Sequence, residues 1–191
     1  MRRFIIYSQT ASTDSKIRDL RSAGRWDILL HSIISAMFAS NTFRQDVELH
    51  LILMGPPNSP RHIKITYAEG NTISKKDLKT LIEIALKKAH PGKTKEVHPG
   101  VFVDDKTLEN VIEEYDKTEI YMLDSAGEHI KNTKLEEHKN PTFILGDYDG
   151  FDKQTKKYLK KNVNRLSLGS QMYFTSQAIT IINYELDCYL E

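Results

Sequence analysis

Residues 143–151 read FILGDYDGF and residues 164–177 read NRLSLGSQMYFTSQ, and the fold turns on how these stretches end. In each, a short apolar run gives way to a glycine turn, at Gly146 and Gly150 in the first and Gly169 in the second. Such a run, bounded by turn residues, is the mark of a strand buried on both faces. In open α/β sheets ligands bind at the carboxyl ends of strands, where glycine lets the backbone approach closely. Two such turns converging on one pocket offer backbone N–H and C=O groups to a purine. The pattern favours a small-ligand pocket over a turn that is merely structural.

Working outward, the rest of the chain alternates strands and helices. RFIIY (Arg3–Tyr7) reads as a first strand, followed by the polar loop SQTASTDSK. The period of Trp26, Leu29, Leu30, Ile33, Ile34, Met37 and Phe38 predicts a helix from near Gly24 to about Ser40. VELHLILMG (47–55) is a second strand, ended by Gly55-Pro56-Pro57, and RHIKITYA (61–68) alternates like a half-exposed one. SKKDLKTLIEIALKKA (74–89) is an amphipathic helix with Ser74 as its cap and Pro91-Gly92 as its stop. Gly100–Val103 is a short strand, Asp104 or Asp105 caps the helix KTLENVIEEY, and EIYMLD (119–124) is again a strand. A hairpin or long loop is expected at 125–140. Then follow the strand TFILGD (142–147), a basic helix, the strand RLSL and a last helix from about Gln171 to Leu190. This order implies an α/β architecture with a mostly parallel sheet and helices on both faces.

The last helix is apolar on several sides, through Tyr173, Phe174, Ile179, Ile181, Ile182, Tyr184, Leu186 and Leu190. A helix of that kind needs cover on several sides, so a partner subunit is expected to supply part of it. A length of 191 residues suits one domain, 1–191, with a core that needs no staples. The lone cysteine, Cys188, excludes an internal disulfide framework and fits a reducing compartment. MRRFIIYSQ breaks into polar residues before a signal-peptide core develops, and no stretch has the length to span a bilayer. A cytoplasmic protein without membrane association is expected. The net charge of +1 does not advertise nucleic-acid binding, yet KQTKKYLKKNVNR (153–165) carries six basic residues and no acidic one. A neutral chain with a local basic patch permits binding to a structured RNA.

Sharper alternatives fail on spacing. GKT (92–94) copies the end of a phosphate loop, but Lys87 stands where the loop needs glycine. DYDGF has the wrong residue order for a calcium loop. The seven histidines lack the i,i+4 pairing of a zinc protease. There is no G-x-S-x-G elbow, and no G-x-G-x-x-G follows the first strand.

FILGDYDGF and NRLSLGSQMYFTSQ together resemble the two cofactor motifs of the SPOUT methyltransferase superfamily. RRFIIYSQTASTD, SAGRWDILLHSIISAMF, DVELHLILMGPPNSP and the terminal ITIINYELD extend the likeness, in the right order, to the archaeal tRNA pseudouridine-54 N1-methyltransferases. The resemblance covers essentially the full chain. It implies a deep trefoil knot near the C-terminus, S-adenosyl-L-methionine bound in a bent conformation, and a homodimer through the C-terminal helix. It puts cofactor contacts on Leu123, Gly146, and the turn made by Leu166, Ser167, Leu168, Gly169, Ser170, Gln171, Met172 and Tyr173. The family often has cysteine where this chain has Ala178, so no role for that thiol transfers.

The implied substrate is the T arm of tRNA. N1 of pseudouridine is a poor nucleophile until its proton leaves, so the enzyme must align N1 with the methyl group and help remove or offset that proton. Candidates are Arg25 and Asp27 in GRWD, with Asp147 and Asp149 beside the cofactor turn. An aspartate in a first helical turn also complements the dipole with no substrate, and turn aspartates commonly bond their own backbone. Lys153, Lys156, Lys157, Lys160 and Lys161 would meet phosphates, with Arg2, Arg18 and Arg21 adding to that surface; the plainer reading of the lysines is a solvated face. His31 reads as a core or interface histidine and Trp26 as core. Two other readings compete: a ribosomal RNA pseudouridine N1-methyltransferase of small-subunit assembly, and a non-catalytic RNA-binding module.

Overall fold

The computed structural model describes residues 1–188. In chain order the elements are β1 (Arg2–Ser8), α1 (Trp26–Met37), β2 (Phe38–Ala39), β3 (Thr42–Phe43), β4 (Val47–Leu53), β5 (Arg61–Thr66) and α2 (Leu78–Lys88). They continue with β6 (Lys95–His98), β7 (Val101–Asp104), α3 (Leu108–Ile112), β8 (Ile120–His129), β9 (Thr142–Gly146), α4 (Lys153–Asn162), β10 (Asn164–Ser167) and α5 (Thr175–Asp187). Eight strands form one sheet in the order β10-β8-β9-β1-β4-β5-β7-β6, and β2 pairs with β3 separately. From β10 to β4 every pairing is parallel. β5, β7 and β6 extend the sheet antiparallel.

The parallel strands are legible for a physical reason: Phe4–Ile6 and Phe143–Leu145 are buried continuously because helices cover both faces. One face packs on α1, α2 and α5 through Trp26, Leu29, Ile33, Ile82 and Ile179. The other packs on α3 and α4 through Val111, Ile112 and Leu159. The expected class, mostly parallel with helices on both faces, is the one observed.

Several local expectations are corrected. α1 begins at Trp26, not Gly24, because Gly24 and Arg25 both adopt positive φ. Ser74 does not cap α2: its hydroxyl accepts from Lys76 N in a preceding turn, and the helix starts four residues later. Neither Asp104 nor Asp105 caps α3. Thr107 does, in a reciprocal capping box with Asn110, while Asp104 is buried against His62. The segment 125–140 is no hairpin: β8 runs on to His129, and short 3-10 turns follow. α5 begins at Thr175, four residues later than expected. Leu190 lies outside the described residues. His31 is exposed rather than core, whereas Trp26 is fully buried and donates Nε1–H to Ser12 O at 3.0 Å. Arg2 is not surface: it is 5% exposed and ion-paired to Asp46 at 2.7 Å and Asp187 at 2.8 Å.

The antiparallel half holds a buried polar chain. Asp104 Oδ1 meets His62 Nδ1 at 2.8 Å, His62 Nε2 meets His50 Nδ1 at 2.8 Å, and His50 Nε2 meets Glu48 at 3.2 Å. Tyr115 and Arg3 donate to the same Glu48 oxygen. Burial pushes His50 down to about 4. Burial alone would raise Asp104, but hydrogen bonds from His62, the Lys106 N–H and Thr94 outweigh it and hold the carboxyl near 2. Both shifts act in one direction. Below its unfolded value of 6.5 the unfolded chain takes up the proton that folded His50 refuses, so stability falls as pH falls towards 4, and Asp104 carries the loss lower. We expect the free energy of unfolding to fall by on the order of 2 kcal/mol between about pH 7.5 and 4.5. Denaturant titrations across that range check this, and a flat profile would overturn it.

Candidate active site

Parallel strands bring their carboxyl ends to one edge of the sheet, and there the two glycine turns meet. A cleft of about 820 Å³ lies between them, within the size range of small-molecule sites. Leu123, Gly146, Leu166, Ser167, Leu168, Gly169, Ser170, Gln171, Met172 and Tyr173 all line it. Gly146 leaves no room for a side chain, since an added Cβ would stand 2.6 Å from Gly150 Cα. Gly169 has φ +110, a conformation L side chains rarely adopt, and its N–H donates to Ser167 Oγ at 3.1 Å. Thr175, the first residue of α5, ties the turns together by donating its hydroxyl to Gly146 O at 2.7 Å.

Walls and floor differ in character. Ile28, Leu145, Leu166, Leu168 and Ala178 make apolar walls. Among them stand two carboxyls, each fixed by its own turn: Asp147 Oδ1 accepts from Asp149 N and Asp124 Oδ1 from Ala126 N. The second oxygen of each is buried with no hydrogen-bond partner. Burial raises Asp147 above the usual carboxylate range. The Ala126 N–H, aided by Lys156, Lys160 and Arg165, holds Asp124 below it. Apolar walls for a flat ring, exposed turn backbone and carboxyls close behind the lining fit a cationic nucleoside, and S-adenosyl-L-methionine is such a molecule.

Arg25 and Asp27 sit at the rim. Arg25, with φ 61, sends Nε and NH2 to the two carboxylate oxygens of Asp27 at 3.0 and 2.9 Å. Its guanidinium lies 4.7 Å from the ring centre of Tyr148, which lines the cleft and is 63% exposed. The ion pair holds Asp27 below the ordinary carboxylate range. Asp27 is thus committed to orienting Arg25, and Arg25 is the group presented outward.

The family model of SAM-dependent RNA methyltransferases matches residues 1–189. The chain belongs to that family. It is 33% identical to a tRNA (pseudouridine(54)-N(1))-methyltransferase of Thermococcus gammatolerans, over 98% of this chain and 97% of that protein. It is 32% identical to the Thermococcus kodakarensis protein of the same name, over 98% and 99%. Among solved structures it is similar to Archaeoglobus fulgidus Nep1 bound to S-adenosylhomocysteine, with a TM-score of 0.61, 15% identity, and coverage of 87% of this chain and 71% of that one. That likeness establishes a shared fold, in keeping with the SPOUT resemblance.

In this methyltransferase, tertiary packing adds lining residues that lie outside both glycine motifs: Ile28, Asp124, Lys156 and Ala178. Asp124 had a signal, because it stands just past an apolar strand on the ligand-binding edge. The others come from helices whose sequence gives no sign of facing a ligand. Replacing Gly146 by alanine must displace the Gly150 turn, and we expect S-adenosylmethionine affinity to fall at least about ten-fold, or 1.4 kcal/mol. Calorimetry checks this beside a thermal melt, and unchanged affinity in a folded variant would count against the tight approach.

Proposed function

We propose that the chain transfers a methyl group from S-adenosylmethionine to N1 of pseudouridine 54 in the T loop of tRNA. The observation that carries this reading is the convergence of both glycine turns on one cleft, in a chain alignable end to end with relatives that bear that name. S-adenosylmethionine supplies a methyl group already activated on a cationic sulfur. We assign its binding to Leu123, Gly146 and residues 166–173, largely through main-chain atoms. Arg25 then offers a fixed cation to the charge that develops on the base as N1 loses its proton. Asp27 is a positioning residue for Arg25.

The target base is unstacked to reach the cleft, as chemistry on a base requires. Lys156 lines the cleft, and exposed Lys153 and Lys157 in the same first turns of α4 suit phosphates of the T arm. We also assign a homodimer: α5 buries Ile179, Ile182 and Leu186 but leaves Phe174 and Tyr184 exposed, beside Met172 at 98%. The trefoil knot belongs to the same reading. The chain leaves β10 at the sheet edge and returns past Gly146 to pack α5 on α1, the path such a crossing takes. A single domain acting on cytoplasmic tRNA completes it, and no helix among the described residues is long and apolar enough to cross a membrane.

Incubation with methyl-labelled S-adenosylmethionine and tRNA carrying pseudouridine 54 should yield N1-methylpseudouridine by mass spectrometry. No product on that tRNA would sink the assignment. Arg25→Ala should lower kcat by roughly a hundred-fold or more with cofactor affinity retained. Replacing Lys153 and Lys157 with glutamine should flatten the dependence of log affinity for tRNA on log salt by about one to two; an unchanged slope would remove α4 from the RNA surface.

A further inference from the structure

Burying an acceptor without a donor costs roughly 1–3 kcal/mol, and more for a charged one. Native structures therefore seldom leave such groups without a purpose. Here two occur in one cleft, Asp124 Oδ2 and Asp147 Oδ2. Asp147 is only 8% exposed, and the Asp124 side chain is 10% exposed, its Oδ2 ion-paired with Lys160 Nζ at 3.8 Å but accepting no hydrogen bond. Each carboxyl is already oriented through its other oxygen by a turn N–H. Neither therefore needs a ligand in order to be held; the second oxygen of each accepts no hydrogen bond, with Lys160 ion-paired to that of Asp124 and the Ser8 hydroxyl beside the Asp147 carboxyl. Asp124, Asp147 and Asp149 line the cleft together with Lys156; Lys160 and Arg165 also offset the charge of Asp124, whereas the main influences on Asp147 include no cation.

We propose that Asp124 and Asp147 make this cleft selective for the cationic methyl donor over its demethylated product, so that transfer itself loosens the spent cofactor. The inference rests on the cofactor reading of the cleft. As the methyl leaves, the carbon–sulfur bonding pair stays on sulfur, the N1 lone pair makes the new bond, and the N1 proton passes to water. Sulfur goes from a sulfonium cation to a neutral thioether. The ligand loses one positive charge and little else. A shape-based or hydrogen-bonded pocket would barely register that change. One lined by fixed carboxylates registers it as lost attraction: at a separation of about 5 Å and an effective dielectric near 20, one such pair alone accounts for well over ten-fold in affinity. The attraction is little screened by salt because the carboxylates are out of bulk water.

Isothermal calorimetry on the full chain tests this with S-adenosylmethionine and S-adenosylhomocysteine, on the natural protein and on Asp124→Asn and Asp147→Asn. Asparagine keeps each Oδ1 acceptor, and thermal melts check folding. The natural protein should bind the sulfonium at least about ten-fold more tightly than the thioether. Each variant should shrink that ratio several-fold while leaving thioether affinity nearly unchanged. A ratio near one in the natural protein overturns the proposal without any variant, and so does a ratio that both folded variants preserve. If neither ligand binds the natural protein, the cofactor reading itself fails, which is a distinguishable result.

Discussion

α5 crosses back over the sheet to close one side of the cleft, and a buried arginine anchors its far end. Arg2, the first residue of β1, reaches the far end of α5, donating to Asn183 O and Oδ1 at 3.1 Å and pairing with Asp187 at 2.8 Å. Asp187 in turn holds Arg44 through both oxygens, and Asn183 donates to Ser35 O at the end of α1. Three segments distant in sequence thus share one network. With α5 docked at this end, its first residue, Thr175, comes to the carbonyl of Gly146, and the two glycine turns face one another. Removing one member of such a network strands a buried charge, which typically costs about 3–5 kcal/mol. Apolar contacts from Ile179, Ile182 and Leu186 supply much of the gross binding of α5, but they are non-directional. The charged network sets the register.

How much of this the amino-acid order discloses follows from whether the deciding force is local. Buried parallel strands announce themselves as unbroken apolar runs, because both faces must be dry. The glycine turns do too, since close backbone approach has no substitute for glycine. The continuation of β8 through Asp124–His129 does not, because that stretch is polar and pairs with β10 only across an irregular register between Arg165 and Leu166. Asp104 reads as a helix cap by position, yet the nearby His62 claims it. Arg2 reads as surface by type and is buried by partners that lie 44 and 185 residues away. In each failure a long-range partner outbids the local preference. The ion pair at the rim was legible as a motif, GRWD, while its geometry was not: no pattern states that Arg25 takes a left-handed backbone or that Tyr148 lies beneath its guanidinium.

Charge is arranged in two zones, and their separation is an argument about function. Outside, Lys153, Lys157 and Lys161 on α4 are exposed, and Arg25 stands at the rim, so they attract a polyanion in a screened, adjustable way. Inside, Asp147 is buried in the cleft lining, and Asp124 beside it is shared with Lys160. An RNA phosphate is repelled from the interior by the carboxylates, and a cationic nucleoside is not held by the lysines. Two ligands of opposite charge can then occupy adjoining space without competing. Lys156 lines the cleft and lies on the same helix as the outer lysines, so the boundary runs along α4. A neutral base carried by an anionic backbone crosses that boundary at least cost, since only the uncharged heterocycle has to enter the anionic cleft while its phosphates remain with the cations at the rim.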